Sequence, residues 1–251
     1  MILWREKFIA TSVHFAVTLV LAGIAAGLIF LVWYPDPFDD MIGGTELFLL
    51  VVGCDLALGP LLSLVVFDSR KSRRQLIFDY SVISVLQIGA LVYGVLVVAD
   101  SRPAYITFSG DRLEVVAAGT LKPKELQAAR DPQFRTVPWT GPKFVAVVIP
   151  AADMNDAIFE ALAGNEEQLR PKFYVTWQSQ IEKIRQKAQT LDVLEAKHPA
   201  SKQLVQQALR GGGVPVERLR WLPVRHMKGF WTALVDTDTG EPVAWIPLDP
   251  Y

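Results

Sequence analysis

Three long apolar runs limit what this chain can fold into: about Val13–Trp33, Leu47–Phe67 and Tyr80–Ala99. Each is about 20 residues long, and a helix of that length crosses a hydrocarbon core of ~30 Å. A buried soluble helix can imitate one such run. Three in succession, separated by short polar loops, are expected to be membrane spans. Arg5 and Lys7 precede the first run, as they would a secretory signal. Its apolar core is too long for one, however, and its end, Leu28-Ile-Phe-Leu-Val-Trp-Tyr-Pro35, has no small-x-small cleavage site, so it reads as an uncleaved anchor. Trp33 and Tyr34 at that end are the residue types of an aromatic belt and are expected to be membrane-interface anchors.

The loops set an orientation. Arg5 and Lys7 lie before the first run and Arg70, Lys71, Arg73 and Arg74 follow the second, whereas residues 34–46 contain no Lys or Arg. The positive-inside rule makes these basic residues topology determinants, with the N-terminus in the cytoplasm. Residues 1–100 are then a three-helix transmembrane domain and residues 101–251 a soluble domain on the outer face. Beside two spans, the basic loop reads as a topological signal and not as a nucleic-acid patch. Cys54 is the only cysteine, so the outer domain has no disulfides and folds on its core alone. That fits the inner membrane of a Gram-negative bacterium, with a periplasmic C-terminal domain.

The outer domain reads as α+β, with a mainly antiparallel sheet. Ala104–Phe108 and Arg112–Ala118 are partly alternating, with Ser109-Gly110-Asp111 as the turn of a hairpin. Lys143–Pro150 is a good strand. Residues 131–142 form a Pro-rich loop. Asp153–Gly164 predicts a helix with Asp153 as its N-cap, and Trp177–Ala196 a longer one. Ser201–Arg210 predicts another helix, stopped by Gly211–Gly213. The end returns to strands, with Thr237–Glu241 as the last turn.

Sites for chemistry are scarce. His14, His198 and His226 have no metal-ligand spacing, and no C-x-x-C, H-E-x-x-H or G-x-S-x-G motif occurs. Glu166-Glu167 and Asp236/Asp238 read as solvated surface. The chain is expected to be no enzyme, with no catalytic residue, cofactor or metal.

The spans are more informative. Asp55 sits inside the second, where a carboxylate is costly unless it faces a partner or is protonated. Gly59 and Ser63 follow at i+4 and i+8 on the same helical face, and Pro60 leaves the carbonyl of Leu56 without its donor. In the third span Gln87, Ala90 and Gly94 share a face; the first carries Gly23-Ile-Ala-Ala-Gly27, a G-x-x-x-G pattern. Gln87 and Tyr93 bracket the depth of Asp55. Two roles are open to Asp55, Gly59, Pro60, Ser63, Gln87, Tyr93 and Gly94. One is an internal hydrogen bond from Asp55 to Gln87 or Tyr93 that holds a helix hairpin together. The other is a face that receives a helix from another protein.

Trp33-Tyr34-Pro35, the G-x-D-x-x-L-G-P-L-L of Gly53–Leu62, and the series Asp79, Gln87, Ala90, Leu91, Tyr93 and Gly94 together resemble the TfpX/TfpZ-type pilin accessory proteins of type IV pilus systems. Arg102-Pro103 and Asp111-Arg-Leu-Glu-Val-Val116 continue the likeness, with Leu113 at a position where that family has Phe. The likeness is dense over about residues 30–118 and looser beyond. It implies an inner-membrane accessory factor, or chaperone, for a cognate type IV major pilin, promoting pilin stability or assembly and so supporting twitching motility and adhesion. Its implied partners are that pilin, the bilayer and other pilus assembly machinery, with no nucleic acid. It supplies no catalytic residues. The Asp55/Gly59/Pro60 face, with Gln87, would contact the pilin helix, and the outer domain would select the pilin head. A pilin-modifying enzyme and a membrane-anchored periplasmic sensor are the alternative classes.

Overall fold

A computed structural model of the chain describes residues 2–68, 70–209 and 214–251. It divides into two compact units, Met1–Ser101 and Arg102–Tyr251.

The first unit is helical. α1 (Ile2–Leu28) continues into a π-helical turn, Ile29–Trp33. A short helix, α2 (Phe38–Ile42), precedes α3 (Gly44–Val66), and α4 (Arg73–Ser101) completes the unit. Three of these helices are long and apolar enough to cross a membrane: Trp4–Trp33, Gly44–Val66 and Arg73–Ser101. In α3, and in α1 with its π-helical turn, buried positions follow one another at three- and four-residue intervals, as in Thr18, Ala22, Ala25, Ile29 and Trp33. That spacing keeps one face of each helix against its neighbours. α3 lies in the middle, packed against both α1 and α4. At one end of the unit Lys7 and Lys71 donate to the carbonyls of Leu64 (3.3 Å) and Val66 (2.9 Å), which the end of α3 leaves without helical donors.

The second unit is built on one curled sheet. β1 (Pro103–Ser109) and β2 (Arg112–Ala117) form a hairpin whose turn places Gly110 at φ 67°. α5 (Pro123–Gln127) and a 3-10 turn at Pro132–Phe134 lead to β3 (Lys143–Val147), followed by α6 (Met154–Leu162) and β4 (Tyr174–Thr176). Then come α7 (Ile181–Lys187), β5 (Gln189–Thr190), α8 (Leu191–Lys197) and α9 (Ser201–Ala208). β6 (Leu219–His226), β7 (Gly229–Asp236) and β8 (Pro242–Ile246) close the chain. The strand order is β4-β3-β1-β2-β6-β7-β8, with β5 also on β6.

Several expectations are corrected here. The sheet is mixed: most of its pairings are antiparallel, but β1–β3 and β2–β6 are parallel. The late hairpin joins the early one side by side through β2–β6, and a parallel pairing needs the long crossover that residues 118–218 supply. The helix expected over Trp177–Ala196 is broken. Gln189 and Thr190 leave it to pair with β6, and Trp221 Nε1 donates to Thr190 O at 3.0 Å. Asp153 stands at the N-cap of α6 as expected, but its side chain makes no capping bond and pairs with Arg130 at 2.5 Å. The expected stop at Gly211–Gly213 lies outside the described residues.

Helices cover one face of the sheet in two places. Tyr105, Val116, Val145 and Tyr174 pack with Phe134 and with Ala157 of α6; Leu219, Trp221, Leu234 and Ile246 pack with Leu191, Leu194 and Val205 of α8 and α9. The other face carries Ile106, Phe108, Leu222, Val224 and Ala233, all buried. The sheet curls so far that Phe144 of β3 stacks 6.4 Å from Trp245 of β8, although four strands lie between them in the order. Trp177 fills the gap, 5.3 Å from the Phe144 ring, and donates to Gly240 O at 3.2 Å.

Glu114 marks the parallel seam. It is buried on β2, beside its β6 partner Arg225, and accepts from Arg225 Nη2 at 2.5 Å and from Arg112 Nε at 2.9 Å. Burial raises its carboxyl above the ordinary value, and the two guanidiniums offset this only in part. Arg225→Met strands that carboxylate with Arg112 alone and is expected to cost about 3 kcal/mol. Adding Glu114→Leu should recover most of the loss, as a double-mutant cycle by urea unfolding will show.

Burial also pushes the Tyr105 phenol up to about 12, from an ordinary 10.0, and raises that of Tyr174 well above its usual value. An unfolded chain releases these protons at lower pH, so their contribution to stability is complete below pH ~10 and is lost as pH rises through ~12. Tyrosinate absorbance should therefore show these two phenols silent until alkaline unfolding, with the onset moved to higher pH in Tyr105→Phe.

Candidate functional site

The first unit contains a groove of about 440 Å3 between α1 and α4, with α3 as its floor. Its walls are mostly apolar, including Val13, Val17 and Leu21 of α1 and Ile88 and Leu91 of α4; its polar groups are His14, Thr18, Asp55, Tyr80, Ser84 and Gln87. The groove exists because α3 offers small side chains where its neighbours approach. Asp55, Gly59 and Ser63 form a buried stripe on it. A Cβ at Gly59 would collide with Gln87 Nε2 and stand 3.2 Å from His14 Nε2. Over this bare backbone His14 Nε2 donates to Gln87 Oε1 at 2.7 Å, bridging α1 and α4. Ser63 Oγ and Tyr80 Oη share a 2.6 Å hydrogen bond one turn further on.

Asp55 is 8% exposed and lines the groove. Among the described residues no side chain or backbone group is hydrogen-bonded or ion-paired to its carboxylate. The internal bond expected to Gln87 or Tyr93 is not made: Gln87 turns its carbonyl to His14, and Tyr93 is 72% exposed on the far side of α4. Gly94 is buried against Val51 of α3, whereas Ala90 faces outward and Leu91 takes the inward position. Pro60 lies within α3, half-buried beside Gly59. Gly23 and Gly27 have no neighbouring atom where a Cβ would stand, so the G-x-x-x-G pattern of α1 takes no part in packing within this unit.

Trp33 and Tyr34 stand at the end of the first long helix. Both are buried, with Tyr34 Oη donating to Val98 O at 2.8 Å and the Tyr34 ring pressed on Gly44. Tyr34 ties the end of the first long helix to α3 and α4. At the opposite end Arg70 pairs with Asp68 (2.9 Å) and Lys71 with Asp79 (2.7 Å), while Arg73 and Arg74 are exposed. Arg70 holds the Asp68 carboxyl down at about 2 through its hydrogen bonds.

His14 is the site residue that the sequence left unassigned. Its only signal is position: it precedes Thr18 and Ala22 by four and eight residues, on the inward face of α1. Among the described residues no group of His, Cys, Asp and Glu could hold a metal ion.

The arrangement is an apolar trough with one unpaired carboxylate and a polar bridge on its floor. It can take an apolar rod, such as a helix, that brings a hydrogen-bond donor or a cation to the level of Asp55. In lipid, apolar walls alone give little preference for a helix over acyl chains, so the polar group sets what is held.

The glycines allow a direct check. Gly23→Ala and Gly27→Ala meet nothing and should be neutral or stabilising by up to ~1 kcal/mol through helix propensity. Gly59→Ala and Gly94→Ala collide with Gln87 and Val51 and should cost about 1–3 kcal/mol by overpacking. Unfolding of the detergent-solubilised chain will rank the four.

Comparisons with known proteins bear on what this groove serves. A family model described as fimbrial assembly protein FimB matches residues 2–43. A fimbrial assembly protein of serogroup I from Dichelobacter nodosus is 32% identical over 230 residues, covering 90% of this chain and 89% of the relative. The serogroup E1 protein of the same organism is 31% identical over the same length and shares. The protein of serogroups C1 and C2 is 34% identical over 119 residues, 47% of this chain and 91% of its own. No solved structure matches.

Proposed function

The chain belongs to the fimbrial assembly protein family, and from that premise we propose that it is a pilin accessory protein of the TfpX/TfpZ type, which holds a type IV pilin in the membrane before assembly. The observation that carries this is the groove between α1 and α4 with the unpaired Asp55 on its floor. A subunit awaiting polymerisation must keep its apolar helix apart from other membrane helices. A shallow trough can do so without closing around it, and one polar contact gives recognition that apolar packing in lipid does not. The role is that of a chaperone and needs no catalytic group.

In this proposal α1, α3 and α4 cross the inner membrane, with Lys7, Arg70, Lys71, Arg73 and Arg74 on the cytoplasmic side. The unit Arg102–Tyr251 is periplasmic and meets the soluble head of the pilin. α6 supports that part. Its Ala157 is packed in the core, but Phe159 is 73% and Leu162 81% exposed, with Met154 and Ile158 also outward. An apolar helix face left open is the kind of surface on which another protein docks.

The test is a photocrosslinker placed at Leu91, on the groove wall, and at Val65, exposed on α3 away from it. Pilin should be captured from 91 and not from 65. Asp55→Leu should lower the capture from 91 by about tenfold or more, the loss of one charge-assisted contact, and lower the number of pili at unchanged protein level. Equal capture from both positions, or capture indifferent to Asp55, would sink the proposal.

A further inference from the structure

The loop that precedes β3 carries one large aromatic side chain in the open. Trp139 is 63% exposed, whereas Trp177 and Trp221 of the same unit are buried. The loop itself is fixed. Arg102 Nη2 donates to Pro138 O at 3.1 Å, Tyr105 Oη donates to Thr136 O at 3.2 Å, and the Arg102 guanidinium lies over the Trp139 ring, 5.5 Å from its centroid. Exposure therefore comes with a rigid mount made by the first side chains of the second unit.

That mount has a definite place in the chain. Arg102 is bonded directly to Ser101, the last residue of α4 and of the third helix long enough to cross a membrane. Lys143, also exposed, opens β3 in register with Tyr105 of β1. Arg102, Trp139 and Lys143 thus lie at the end of the sheet where the chain arrives from α4. An exposed indole followed in the same loop by an exposed lysine is the chemistry of the headgroup layer, where the ring body leaves water while its N–H stays wet.

We propose that the loop Thr136–Lys143 is a membrane contact of the second unit, with Trp139 seated in the headgroup layer of the leaflet where α4 ends and Lys143 facing lipid phosphates. The occupant is a lipid surface because of covalent continuity. A ring 5.5 Å from Arg102 cannot move far from the point at which α4 leaves the bilayer. The proposal is independent of the groove and of any pilin; it requires only that α4 crosses a membrane.

The test uses the full chain in lipid nanodiscs, in a Cys54→Ser background with one cysteine at a time carrying a polarity-sensitive fluorophore. The positions are Trp139→Cys, Thr140→Cys (which keeps the tryptophan), Leu86→Cys on the exposed face of α4 and Glu217→Cys on the exposed surface of the second unit. Nitroxide lipids carry the label at the headgroup or near the chain end. Emission from 139 and 140 should shift to shorter wavelength than from 217 and be quenched more by headgroup label than by chain-end label, with the order reversed at 86. Water-like, unquenched emission at 139 and 140 beside a quenched 86 overturns the proposal. So does protection of 139 and 140 from both lipid label and aqueous iodide, which would mean that protein covers the loop. An unquenched 86 removes the span and the proposal with it.

Discussion

Gly59 has no side chain, and the amide of Gln87 and the imidazole of His14 occupy the space that one would fill. The rest of the first unit follows from that close approach. With α3 bare at this point, α1 and α4 reach over it and join through His14 Nε2–H donating to Gln87 Oε1. Away from water an unmade hydrogen bond is costly, so the bridge fixes which faces of α1 and α4 turn inward. It also sets how far they can spread. α1 and α4 each pack on α3, and the space left between them on one side is the groove. Ser63 with Tyr80, and Gly94 against Val51, extend the same close contact along α3 and α4.

This bridge has a consequence for Asp55. Gln87, whose amide lines the same groove, has its carbonyl committed to His14 and its nitrogen over Gly59. A carboxylate left without a donor in such surroundings costs several kcal/mol whether it stays charged or takes up a proton. A structure that only needed a stable hairpin would be better served by Leu or Asn at this position. The proposed role gives the cost a purpose. A free energy penalty present in the empty groove and removed by an incoming donor contributes to binding, and it discriminates against apolar helices that bring no such group.

The sequence made the long-period features plain and hid those that depend on contacts between distant segments. Three apolar runs of bilayer length announce three helices, and the i, i+4, i+8 stripe of Asp55, Gly59 and Ser63 announces the inward face of α3, because both patterns are local. The partner of Gln87 was not legible, since it lies seventy-three residues away on another helix. His14 carries no motif. At Trp33 and Tyr34 composition suggests an interface, and packing adds what it could not: a partner for Tyr34 in the Val98 carbonyl and burial of both residues. In the second unit the hairpins were legible from their turns. The parallel seam between β2 and β6 was not, for no local pattern tells a strand which distant neighbour it will take. The broken helix at Gln189 fails for the same reason: its helical propensity yields to pairing with β6.

That seam changes the meaning of the residues that carry the family likeness. Arg112 and Glu114 are prominent in the segment Asp111–Val116, and charged residues in a shared motif invite a functional reading. Their geometry is structural: Glu114 is enclosed by Arg112 and Arg225 where two hairpins, more than a hundred residues apart, must align. A one-residue slip would turn Glu114 into the apolar face occupied by Phe108 and Val224, so the ion cluster penalises wrong registers more than it stabilises the right one. Arg102 is structural in the same sense, holding the loop at Pro138. In the second unit these charged residues therefore build a rigid sheet and hold its loop. The first unit is the reverse case. There Asp55 lines the groove and Gly59 stands one turn on along the same buried stripe of α3.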